Sequence, residues 1–103
     1  MIGDLFLDGR VAVDPFPPST GKKAVIMYKG LLAKSGADAV YAHVGYGYDN
    51  WSNVKTIPMT KVDQDTWTAE IPIEGETKLN FCFKDGADNW DNNNGLNWGC
   101  AIV

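Results

Sequence analysis

The stretch Thr66-Trp67-Thr68-Ala69-Glu70-Ile71-Pro72-Ile73 decides the fold. Trp67, Ala69, Ile71 and Ile73 fall on one side of an extended chain, and Thr68 and Glu70 on the other. That period of two predicts a strand with one face on a core. Residues 78–84 repeat the pattern, with Leu79, Phe81 and Phe83 on the core side and Cys82 opposite. In residues 39–46, Val40, Ala42 and Val44 point one way, and Tyr41 and His43 the other. Residues 10–14 put Val11 and Val13 on one face, while residues 24–29 are apolar on both faces, which predicts a central strand. Residues 55–62 form a further strand interrupted by Pro58, the mark of an edge or a bulge. Residues 99–103 close the sheet.

The links between these runs are rich in turn formers: Pro15-Phe16-Pro17-Pro18-Ser19-Thr20-Gly21, Asp63-Gln64-Asp65 and Glu74-Gly75-Glu76. Only residues 31–37 have helical character, and they are too few for a helix that is stable alone. Short alternating strands separated by turns predict an all-β antiparallel sandwich. With 103 residues the chain suits one domain, residues 1–103, with residues 1–9 as a loose lead-in.

Composition narrows the function. Nine basic residues against thirteen acidic ones give a net charge of −4. That balance argues against nucleic acid and against an anionic membrane as partner, since both reward a basic surface. No apolar run approaches the roughly 20 residues that span a bilayer. Residues 1–10 carry Asp4 and Asp8 without a preceding basic run, so they do not read as a signal peptide. The two cysteines, Cys82 and Cys100, read as free thiols, with a single disulfide as the alternative. With His43 as the one histidine and no CxxC spacing, no zinc site, metal or cofactor is expected.

Two polar loops carry exposed aromatics. The first is Gly45-Tyr46-Gly47-Tyr48-Asp49-Asn50-Trp51-Ser52-Asn53, and the second is Asp85-Gly86-Ala87-Asp88-Asn89-Trp90-Asp91-Asn92-Asn93-Asn94-Gly95. An exposed indole is costly unless it is covered or used. Its flat face suits the C–H face of a pyranose ring, and neighbouring amides and an imidazole can bond the hydroxyls. Trp67, by contrast, reads as core, and Trp98 as a cap on the core. The Asp/Asn-rich second loop invites calcium but fails the EF-hand spacing, with no glutamate at the twelfth position. No Ser/His/Asp order, phosphate-cradling loop or HExxH is present. Asp49 and Asp91 could pair as glycosidase carboxylates, but a domain this small leaves little room for a cleft around both. The domain is therefore expected not to be an enzyme.

Val25-Ile26-Met27-Tyr28-Lys29-Gly30, Val40-Tyr41-Ala42-His43-Val44-Gly45-Tyr46, Asp49-Asn50-Trp51, Asp65-Thr66-Trp67, Leu79-Asn80-Phe81-Cys82-Phe83-Lys84-Asp85-Gly86 and Asn89-Trp90-Asp91-Asn92-Asn93-Asn94-Gly95 follow in order. This succession resembles the starch-binding carbohydrate-binding modules of family 25 and the related modules of plant starch synthases. The resemblance implies an immunoglobulin-like antiparallel β-sandwich that binds α-1,4-glucan: starch, glycogen or maltooligosaccharides. It also implies a site of one histidine and two tryptophans, here His43, Trp51 and Trp90. Asn93 and Asn94 are further hydroxyl contacts by their place in the loop. Modules of this kind accompany secreted amylases, so the expected partners are the glucan and a catalytic domain in a parent protein, with the module itself a monomer. Two rival readings are a module for another polysaccharide and an immunoglobulin-like protein-interaction domain with Trp51 and Trp90 as its hot spot.

Overall fold

A computed structural model describes residues 10–48, 51–92, 95 and 97–103. The lead-in, Asp49, Asn50, Asn93 and Asn94 lie outside the described residues. The chain forms two antiparallel sheets packed face to face. Strands β1 (Val11–Asp14), β2 (Lys23–Tyr28), β6 (Trp67–Pro72) and β5 (Thr60–Lys61) lie in that order in the first. The second has the order β4 (Ser52–Pro58), β3 (Val40–Tyr46), β7 (Lys78–Asp85) and β8 (Trp90–Asp91), with β9 (Trp98–Ala101) also pairing with β7. In immunoglobulin terms β1, β2, β6 and β5 follow the order A, B, E, D, and β3, β7 and β9 stand as C, F and G.

The alternation places the core as the sequence predicts. Val40, Ala42 and Val44 from β3, Leu79, Phe81 and Phe83 from β7, and Trp67, Ala69 and Ile71 from β6 are buried between the sheets. Tyr28 stacks on Phe83 at 4.1 Å between ring centroids, and Trp98 meets Phe83 edge-on at 5.5 Å. Trp98 is thus the core cap expected of it, with the Arg10 guanidinium 5.2 Å from its ring centroid. β2 is central, between β1 and β6. Cys82 and Cys100 are both buried and free, and burial lifts each thiol to about 11.

Most strand ends shift by a residue or two from the sequence reading, and three boundaries differ by more. The run 55–62 is two strands in different sheets: β4 ends at Pro58, and after buried Met59 the chain joins the other sheet as β5. The Met59 amide donates to the Val40 carbonyl at 2.9 Å and so pins the crossing point. β4 also starts earlier, at Ser52, because pairing with β3 overrides the turn preference of Ser52 and Asn53. Finally, the helical stretch condenses to one turn, α1 (Leu31–Lys34).

Candidate functional site

The outer face of the second sheet carries the site. On β3 the residues opposite Val40, Ala42 and Val44 are Tyr41, His43 and Gly45, so His43 stands half-exposed on the surface. Cross-strand pairing sets Thr56 beside His43 on one side and Cys82 on the other. Thr56 Oγ1 and His43 Nδ1 share a hydrogen bond of 2.8 Å that fixes the imidazole plane. Burial, and then the ammonium of Lys84, hold His43 below its ordinary pKa of 6.5. The ring is therefore neutral near pH 7, with one donor and one acceptor nitrogen.

Trp51 immediately precedes β4 and lies over Gly45. A Cβ at position 45 would stand 2.7 Å from Trp51 Cβ and 2.8 Å from its Cε3. Only a residue without a side chain lets the indole rest on the strand there. Replacing Gly45 by alanine should therefore displace Trp51 and, on the reading of Trp51 as a glucan platform that the sequence resemblance implies, weaken maltoheptaose binding about tenfold or more, which calorimetry would measure. An unchanged affinity would show that the resting place of Trp51 does not matter.

Trp90 comes from the far side of the sheet. The sequence places it in a loop, but Trp90 and Asp91 pair with Lys84 and Phe83 as a two-residue strand. Alternation turns Asp91 inward, where it is buried, and leaves Trp90 46% exposed on the outer face. Asp91 donates nothing to a surface carboxylate pair, because its Oδ2 accepts from the Tyr28 hydroxyl at 2.6 Å. Its proposed glycosidase partner, Asp49, lies outside the described residues.

Lys84 braces this side. Its ammonium lies 4.9 Å from the Tyr41 ring centroid and 5.9 Å from that of Trp90, and it pairs with Asp88 at 3.1 Å. The preceding turn is organised by Asp85, whose carboxylate accepts from the amides of Ala87 and Asn89 and from the Asn89 side chain, each at 2.9 Å. Those bonds, led by the Asn89 side chain, hold the Asp85 carboxyl below its usual range. Among the described residues no three histidine, cysteine or acidic side chains gather as a metal site.

His43 sits between the two indoles. Its centroid is 6.1 Å from Trp51, with the rings tilted by 32°, and 5.3 Å from Trp90, with the rings at 88°. One indole is therefore close to the imidazole plane and the other nearly perpendicular to it, so the two are steeply inclined to each other. The structure thus brings together three of the five residues singled out in the sequence; Asn93 and Asn94 lie outside the described residues. It adds Gly45, Thr56 and Lys84. Their part depends on pairing register, which no local motif reveals.

The lowered pKa of His43 has a consequence for stability. The unfolded chain takes up a proton as pH falls through about 6.5, before the native imidazole does. The contribution of this group is complete above that pH and declines as pH falls toward the native value. Between pH 7 and 5.5 the denaturation midpoint should fall more for the native protein than for His43→Gln. Equal falls in the two proteins would contradict this.

An antiparallel sandwich with an angled aromatic pair around a neutral imidazole on one sheet face has the features of a carbohydrate-binding module. Comparison with known proteins agrees: residues 24–81 match the starch/carbohydrate-binding module of family 53. The match covers more than half of the chain, which belongs to this family and is a non-catalytic α-glucan-binding module, not itself an enzyme. It includes His43 and Trp51, while Trp90 lies beyond it. The match establishes the coarser part of the sequence resemblance, a starch-binding module. An α-amylase from Clostridium acetobutylicum is 38% identical over 80 residues, covering 77% of this chain and 10% of that protein. The chain thus spans about a tenth of the curated relative it matches.

Proposed function

We propose that the module grips α-1,4-glucan with Trp51 and Trp90 as stacking platforms and His43 between them as a hydroxyl partner, in the manner of the family 25 modules. The observation that carries this is the steep inclination of the two indoles on either side of a neutral imidazole. An α-1,4-linked chain curves, so successive sugars present faces at changing angles; a flat β-linked chain would favour coplanar rings. Asn93 and Asn94, which follow β8 in the sequence, supply further hydroxyl contacts. The module acts as a monomer and serves a catalytic domain of a parent protein, a reading supported by the likeness to an α-amylase.

Two platforms contributing about 1–3 kcal/mol each, by analogy with base–aromatic stacking, plus a few solvent-competed hydrogen bonds, give a Kd of roughly 10 μM to 1 mM. Isothermal titration with maltoheptaose should saturate in that range, and excess EDTA should leave the affinity unchanged within about twofold. Absence of saturation at millimolar maltoheptaose would remove the α-glucan reading. Binding to a protein partner that persists in excess maltoheptaose would favour the interaction-domain alternative.

A further inference from the structure

Trp90 stands on a strand of only two residues, and a ladder that short holds little by itself. What holds it is on the other side of the sheet. Asp91, 7% exposed, turns inward, and its Oδ2 accepts from the Tyr28 hydroxyl at 2.6 Å and from the Leu31 amide at 3.3 Å. The Tyr28 hydroxyl accepts in turn from the Leu32 amide at 3.0 Å. The carboxylate is thereby tied to the end of β2 and to the first amides of α1. Tyr28 itself is fixed by its stack on Phe83, the residue that faces Asp91 across the ladder. Gly30 completes the closure. A Cβ there would stand 2.6 Å from Tyr28 Cε1 and 2.8 Å from Asp91 Oδ2. The Tyr28-Lys29-Gly30 and Asn89-Trp90-Asp91 segments, 63 residues apart at the Tyr28–Asp91 contact, thus meet in one place.

We propose that Tyr28, Gly30 and Asp91 form a buried lock whose role is to position Trp90 for ligand. Consecutive residues of a strand face opposite ways, so holding Asp91 inward holds Trp90 outward. With the lock released, β8 is left with its short ladder, and the indole has to be ordered when the glucan arrives, which costs affinity. These three are positioning residues; none of them touches sugar. The proposal rests on the reading of Trp90 as a platform.

The test uses Tyr28→Phe, which keeps the ring stack and removes the hydroxyl, with Gly30→Ala as an independent second variant should the first fail to fold. Asp91→Asn, which retains an oxygen acceptor of the same shape, is the conservative control. Two quantities are read: the 15N order parameter of each indole N–H in free protein, and the affinity for maltoheptaose. In Tyr28→Phe or Gly30→Ala the Trp90 indole should become more mobile while that of Trp67 does not. Affinity should fall about two- to tenfold. Asp91→Asn should stay nearer to the native protein in both. A folded variant with an unchanged Trp90 order parameter, or with native affinity, overturns the lock. If Trp90→Ala itself binds normally, the failure belongs instead to the platform reading.

Discussion

Replacing Trp51 or Trp90 by alanine should each weaken binding to maltoheptaose by about 1–3 kcal/mol, a fall of roughly five- to 150-fold in affinity. The fold should survive. Trp51 is half-buried against Gly45, and Trp90 is 46% exposed, so neither fills a cavity between the sheets. The cost in stability should be near 1 kcal/mol, within reach of a domain stabilised by about 5–15 kcal/mol. Amylose pull-down together with chemical denaturation separates the two effects. Trp51→Ala or Trp90→Ala protein that unfolds, or that binds amylose as tightly as the native protein, would contradict the assignment.

Trp67→Ala should do the opposite. The indole is 5% exposed in the core on the same strand face as Ala69 and Ile71. Truncation leaves a cavity where few neighbours can collapse, at a cost of roughly 3–5 kcal/mol. That is a large part of the stability a domain of this size has, so the variant should unfold at much lower denaturant or fail to accumulate. Any folded fraction should still bind amylose, because Trp67 stands in the opposite sheet from His43 and its two neighbours. A Trp67→Ala protein of native stability would mean that the strand faces are inverted.

The contrast between these tryptophans was readable because it depends on a period of two. Trp67 lies in phase with Ala69 and Ile71, whereas His43 is out of phase with Val40, Ala42 and Val44; pleating alone separates them. Trp51 and Trp90 stood out for the polar company they keep. The remainder of the site depends on long-range pairing. Gly45 looks like any turn glycine until Trp51 is laid over it, and Lys84 gains its place only when β7 pairs with both β3 and β8. Asp91 reads as one more polar loop residue, yet it is buried because the Tyr28 hydroxyl and the Leu31 amide supply its donors. Met59 was illegible for a related reason. The interruption at Pro58 reads locally as an edge or a bulge, and only the pairing shows that after buried Met59 the chain changes sheets.

The central claim is that inclined indoles around His43 select a curved α-glucan. An NMR titration that follows the indole N–H signals and the His43 ring, with maltoheptaose and with cellohexaose, tests it most directly. The account predicts that maltoheptaose shifts Trp51, Trp90 and His43 saturably, leaves Trp67 and Trp98 in place, and that cellohexaose shifts none of them. Shifts confined to other residues, or equal responses to the two sugars, would contradict it.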